Sequence, residues 1–367
     1  MLVLGVAPAW AHLMQAQKGT LNITPEAGFL VLSVPVSALQ GVDDDADAAL
    51  SQAELQAHDA AIRAQVAAGV QLLGPQGPLP LQLLMVDGAP PDNAPASPAR
   101  QLAVLGRFAL PPMAAGAGAQ RPASPQPLRL RFSLFGTDPG ERQQDLTITR
   151  GQERQWLRFT PARDSHDLLP GTAAVLAEYA ASGATHVLRG ADHLLFLLVV
   201  LSAGWGWRSL VGVLSCFTAG HALTLAACVG LGWTPPARLV EPAIAATLVG
   251  MAALDAWGRR RGRPVAPSVR LALVFLCALV HGLGLAEALG GLTQWPLGSG
   301  PMLWALAGFN LGVEAAQLAV AAAAGLLGWG LGRLAGGAAQ QQAARLATFA
   351  GLCAGAWWLV ERVLQAF

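Results

Sequence analysis

The pattern of apolar and polar positions changes near residue 170. Before that point, short apolar-rich runs are separated by clusters of Pro, Gly and Asp. In Leu128-Arg129-Leu130-Arg131-Phe132 apolar and charged residues alternate, which puts one face of a strand in a core and the other in water. The same pattern predicts strands over 20–23, 29–34, 70–73, 79–86, 101–110, 128–134, 146–150 and 156–159, with a helix inserted over 51–68. Residues 89–99 and 111–127 read as loops, the second disordered. A β-rich, sandwich-like domain over 12–170 is expected.

From Gly171 onward the chain is a series of long apolar runs with short breaks. Each run is close to the ~20 residues that a bilayer crossing needs, and backbone amides in lipid require internal partners, so helices are expected. The runs fall at 187–204, 208–231, 238–257, 270–290, 302–329 and 346–366. Six spans place Arg208, then Arg259, Arg260, Arg261, Arg263 and Arg270, then Arg333 and Arg345 on one side, against Arg238 alone on the other. Basic loops stay in the cytoplasm. The expectation is therefore a polytopic helical membrane protein with its N-terminal domain and C-terminus outside.

Composition agrees: 53% of the 367 residues are hydrophobic and 12% are charged. A net charge of +1 with no basic stripe outside the membrane loops argues against nucleic acid as a partner. All four cysteines lie in the apolar half, so no disulfide framework is expected in the exported domain. Residues 1–11 read as a truncated signal peptide ending in Ala9-Trp10-Ala11. No Gly-x-Ser-x-Gly, Walker loop or His-Glu-x-x-His occurs, and transport is expected instead of enzyme catalysis.

The apolar half carries exceptions that define its chemistry. His186, Asp192, His193, His221, Glu241, Asp255, His281, Glu287, Asn310 and Glu314 all fall in or beside the runs. A charge at mid-bilayer costs roughly 2.5–3.5 kcal/mol on insertion scales, so several together imply that they face one another or a wet cavity. His186 and His193 are two turns apart on one expected helix, with Asp192 beside them and Arg189 between. Asn310, Glu314 and Gln317 share a face, His221 has Thr218 and Thr224 a turn away, and Gly282 and Gly284 after His281 allow close helix approach. Imidazole with carboxylate suits Ni, Co, Zn or Cu ions. Three alternatives stay open: polar packing, a haem held by paired histidines, and a redox or assembly factor whose outer domain binds a partner.

The segments from His186 to Asp192-His193, Phe217-Thr218-Ala219-Gly220-His221, Val240-Glu241-Pro242, His281-Gly282-Leu283-Gly284 and Phe309-Asn310 to Glu314 resemble the HupE/UreJ membrane proteins. The first is also similar to the histidine-aspartate-histidine signature of nickel/cobalt permeases. The resemblance covers about residues 183–320. It implies a bacterial inner-membrane permease for nickel or cobalt, with a metalloenzyme-maturation partner. His186, Asp192, His193, His221, Glu241, His281, Asn310 and Glu314 would line its path.

Two further sites are expected in the exported domain. Residues 43–54 fit a twelve-residue calcium loop, with Asp43, Asp45, Asp47, Ser51 and Glu54 at donor positions and Leu50 at the apolar eighth. Ala48 stands where that loop takes glycine, and Ser51 with Glu54 also reads as a helix capping box. Cleavage after Ala11 would expose His12, whose terminal amine and imidazole could chelate copper.

Overall fold

The computed structural model describes residues 15–89, 97–110, 127–204, 206–263, 265–285 and 294–366. The signal-peptide segment, His12, most of both predicted loops and Glu287 lie outside the described residues. The chain divides after Gly171 into two compact units.

The N-terminal unit is β-rich. Strands β1 (Lys18–Ile23), β2 (Ala27–Pro35), β5 (Leu81–Ala89), β6 (Gln101–Ala109), β8 (Gln144–Arg150) and β9 (Glu153–Phe159) form one sheet in the order β5-β6-β2-β1-β8-β9. Strands β3 (Val70–Gly74), β4 (Gly77–Leu79), β7 (Leu128–Phe132) and β10 (Ser165–Leu168) form a second, ordered β10-β7-β3-β4. Alternation is realised in β7, where Leu128, Leu130 and Phe132 are buried and Arg129 and Arg131 are exposed. Leu21, Leu30, Leu32, Phe108 and Phe159 fill the core with them. Gly28 approaches Leu72 of the other sheet, so the two sheets meet there.

Three details differ from the expectation. The strand predicted over 79–86 is divided at Pro80, whose nitrogen has no hydrogen to donate, into β4 and β5. The helix predicted over 51–68 is two, α1 (Gln52–Ala57) and α2 (Asp59–Gly69), meeting at His58, whose ring nitrogen lies 3.0 Å from Asp44. Strand β10 was not predicted. It pairs with β7, with Arg129 donating to Asp167 at 2.7 Å, and buries His166, whose ring nitrogen donates to the Arg158 carbonyl at 2.9 Å. Burial, aided by the Arg163 charge, lowers the His166 imidazole below its ordinary 6.5, so the ring is a neutral core residue.

The C-terminal unit is helical throughout its described residues: α3 (Thr172–Arg189), α4 (Ala191–Leu201), α5 (Trp207–Leu231), α6 (Ala237–Arg260), α7 (Pro267–Leu283), α8 (Gly300–Ala335) and α9 (Gly337–Ala366). Among the described residues, α5, α6, α8 and α9 are long and apolar enough to cross a bilayer. The α3–α4 pair passes the same test if its 73° bend lies within one span, and α7 is a shorter apolar helix. The expected continuous span over 187–204 is thereby corrected. A helix already begins at Thr172 and breaks at Gly190, whose ψ of 100° is extended and not helical. Arg270, read as a loop charge, lies inside α7 and forms a buried ion pair with Asp255 of α6.

Candidate metal site between the helices

The break at Gly190 builds the centre of the site. It ends α3 just after His186 and starts α4 just before Asp192 and His193. A Cβ at position 190 would lie 2.8 Å from His193 Nδ1 and 2.9 Å from the His186 carbonyl, so this corner admits only glycine without displacing His193. His186 and His193 therefore meet across a bend, with ring centroids 4.6 Å apart, and not along one helix face as the seven-residue spacing suggested.

Two other helices complete the cluster. His221, fully buried midway along α5, lies 5.9 Å from His186 and 6.0 Å from His193 between centroids. His281, at the C-terminal end of α7, lies 5.1 Å from His193. Helices α5 and α7 come this close because Gly282 faces the His221 backbone, where a Cβ would be 2.9 Å from the carbonyl. Phe196, Phe217 and Phe309 pack around the imidazoles; Phe217 and Phe309 stack on His221 at 6.1 and 6.4 Å.

Hydrogen bonds decide which nitrogens carry lone pairs. Asp192 Oδ1 accepts from His193 Nδ1 at 3.1 Å and from the His193 backbone N–H at 2.9 Å. That places the ring proton on Nδ1 and leaves Nε2 as a lone pair. Thr247 of α6 donates its hydroxyl to the Ile244 carbonyl at 2.7 Å, so its oxygen accepts from His281 Nε2 at 3.0 Å. The free lone pair of His281 is then on Nδ1. Those two nitrogens, His186 Nε2 and both nitrogens of His221 are buried without a hydrogen-bond partner among the described residues. A small, mainly apolar cavity touches His193, Phe217, Val274 and Gln317, joining α4 to α8 at this level.

The remaining predicted residues lie on α6 and α8. Glu314 accepts hydrogen bonds from Ser215, at 2.7 Å, and from Thr218, one turn before His221. Buried Gln317 lies next to Thr218, so the predicted face of α8 meets α5. Asn310 donates to the Leu306 carbonyl at 2.8 Å, and its Oδ1 is buried without a partner among the described residues. Glu241 is half exposed, and its carboxylate faces Arg362 of α9. Arg189 is exposed, and the arginine that reaches Asp192 is Arg362. Thr247, Arg362 and Phe196 were not singled out from the sequence, and Phe217 and Phe309 entered only as the first residues of motifs. A hydroxyl or aromatic ring in an apolar run has no periodic signal, and an arginine near a helix end reads as an interfacial charge.

The five calcium-loop residues divide into two groups. Carboxylate oxygens of Asp43, Asp45 and Asp47 lie within 4.8 Å of one another, the one such group of three or more His, Cys, Asp or Glu side chains among the described residues. Ala48 adopts a left-handed φ of 61° at the turn, and its N–H donates to Asp43 Oδ2 at 2.9 Å. Ser51 and Glu54 form the capping box of α1 instead: Glu54 Oε2 accepts from the Ser51 N–H at 2.9 Å, and Oε1 accepts from the Asp44 N–H at 2.9 Å. These bonds, led by the Ser51 hydroxyl, lower the Glu54 carboxyl from 4.5 to about 2. By the same distance measure the imidazole nitrogens of the helical unit are more widely spread, so an ion held by three of them would have to draw the rings inward.

A helical, polytopic membrane protein with a β-rich N-terminal unit and an imidazole cluster buried between its helices is the class that these features define. The family model for HupE / UreJ protein matches residues 163–362, more than half of the chain, and the chain belongs to that family. A comparison with curated proteins finds no match.

Proposed function

We propose that the protein is a permease for a divalent transition-metal ion, which is substrate and not resident cofactor. The observation that carries this reading is the set of buried imidazole nitrogens of His186, His193, His221 and His281, drawn from four helices and without a partner among the described residues. An unmet buried polar group costs about 1–3 kcal/mol, and a cation satisfies several at once. Nickel or cobalt is favoured by the family's association with those metals; copper and zinc suit the same ligands. Rings in mutual contact at 4.6–6.0 Å suit an ion among them and not a macrocycle, which argues against the haem reading.

Counting the broken α3–α4 pair and α7 each as one crossing yields six crossings, with the sandwich-like N-terminal domain outside and α6 and α8 ending in arginines inside. Asn310 and Glu314 would line the path beside α5, and Glu241 would stand at its outer end. With no nucleotide-binding motif, the driving force is an ion gradient, the membrane potential or a partner protein such as a maturation factor. Expression in a metal-starved bacterial host is expected to raise cellular nickel or cobalt, measured by mass spectrometry across Ni, Co, Cu and Zn. His193→Ala and His281→Ala are expected to abolish the rise; uptake at the wild-type level by both would overturn the reading.

For the outer domain we propose calcium at Asp43, Asp45 and Asp47, supported by the left-handed Ala48 turn and by the buried Asp43 Oδ1, which has no hydrogen-bond partner among the described residues. Ser51 and Glu54 would join only by leaving their cap, which weakens the site towards the millimolar range of extracellular modules. Calcium in excess of that range is expected to raise the unfolding midpoint of the wild type by a few degrees and that of Asp45→Ala not at all. Equal responses would remove the site. The proposed copper chelation at His12 would appear as a Cu(II) signal lost on His12→Ala.

A further inference from the structure

Arg362, on the last helix, has no role in the reading above, and its surroundings are unusual for an interfacial arginine. Its Nη1 donates to the Glu241 carbonyl at 3.1 Å, and its guanidinium lies 5.7 Å from the centre of the Trp358 ring on its own helix. Nη2 is 4.0 Å from Asp192 Oδ2, and Nε is 3.7 Å from Glu241 Oε2. One cation from α9 thus faces two carboxylates, from α4 and α6. The carboxylate contacts exceed the 2.7–3.2 Å of a hydrogen bond, so the firm anchor is the carbonyl and the charge contacts are loose.

Asp192 divides its two oxygens. Oδ1 accepts the His193 ring N–H, and Oδ2 faces Arg362. Whatever Arg362 does to that carboxylate is transmitted to His193. A guanidinium at Oδ2 withdraws electron density from the acceptor, which weakens the N–H bond at Oδ1 and lowers the donor strength of Nε2. Its positive charge also repels a divalent ion directly. Both effects have the same sign.

We propose that Arg362 is a tethered cation that competes with the metal ion for Asp192, and so sets how tightly the imidazole site holds its cargo. With the site empty, one positive charge sits among two carboxylates. When a divalent ion enters, Arg362 relaxes towards Glu241, to whose carbonyl it is already bound, and Asp192 turns its charge to His193. Release reverses the exchange. A permease needs an ion bound firmly enough to enter and loosely enough to leave, and a built-in competitor supplies the second condition. Arg362 is a positioning residue here; it need not touch the ion.

The inference rests on the metal-permease reading, and one binding experiment separates the two. Purified full-length protein in detergent is titrated with Co2+, followed by its visible d–d absorption. Arg362→Gln is expected to bind Co2+ about tenfold more tightly than wild type and to release it more slowly to a chelator. Arg362→Lys, which keeps the charge, is expected to stay within about threefold of wild type. If Arg362→Gln does not yield monodisperse protein, Arg362→Met, which keeps an apolar stem over Trp358, is read in the same way. Unchanged or weaker binding by the neutral variant, with His193→Ala still losing Co2+, would overturn the role of Arg362 and leave the permease standing. Wild type that binds Co2+ no better than the His193→Ala, His281→Ala double variant would overturn both.

Discussion

Purified protein carrying His193→Ala is expected to bind Co2+ or Ni2+ roughly a hundredfold or more weakly than wild type, the largest loss of any single imidazole. His193 is the hub of the cluster, in ring contact with His186, His221 and His281. Removing it takes away a lone pair and opens the centre of the site. Losing only a partner that orients a ligand typically costs 10–100-fold in metal affinity, and Asp192→Asn and Thr247→Val are expected in that band. The reason for each is protonic. An asparagine amide at position 192 can donate to His193 Nδ1, which moves the ring proton to Nε2 and blocks the lone pair through which the proposed site would bind its ion. Valine at 247 removes the acceptor that keeps the proton of His281 on Nε2 and its lone pair on Nδ1. Titration of the three variants against wild type tests the order. Binding by Asp192→Asn within twofold of wild type would show that the carboxylate does not set the tautomer.

A second large effect is expected from Gly312→Val, which should destabilise the helical unit by more than the usual 1–3 kcal/mol of an overpacked core. Helices α3 and α8 touch backbone to backbone. A Cβ at Gly312 would overlap the Ala180 carbonyl, one at Gly183 would overlap the Phe309 carbonyl, and Gly308 faces the Leu176 carbonyl. None of these obstacles is a flexible side-chain end, so the helices themselves must part. Helix association in lipid depends on such close packing because no hydrophobic drive remains between apolar surfaces. The displacement also reaches the site, since α3 carries His186 while α8 carries Phe309, Asn310 and Glu314. Thermal unfolding in detergent is expected to show a clear fall in midpoint together with weaker Co2+ binding. Gly325→Ala and Gly330→Ala, where nothing lies within 4 Å, are the controls on the same helix and should be neutral or slightly stabilising. Equal midpoints for Gly312→Val and Gly325→Ala would contradict the crossing.

Several elements were legible without coordinates because they depend on one segment at a time. Strand β7 announces itself by alternation, and α5, α6 and α8 by unbroken apolar length. The polar exceptions His186, Asp192, His193, His221 and His281 were visible because each is costly alone in lipid. Other features carried no local signal. Strand β10 is short and polar, and becomes a strand only by pairing with β7. The corner at Gly190 left no distinct signal of its own, since one glycine is tolerated inside many helices. Arg362 lies far along the chain from Asp192 and Glu241, and nothing in their spacing links them.

By itself the sequence determined that this chain enters a membrane, that its N-terminal part is β-rich, and which side chains are too polar for lipid without a purpose. These are sums over neighbouring residues, and water or hydrocarbon reads them segment by segment. The tertiary structure alone decided that four imidazoles share one centre, that the first pair meets across a bend, and that an arginine from the last helix shares Asp192 with His193. Such facts depend on helix crossings set by glycines and on the direction of each bend, and they exist only once distant segments have packed.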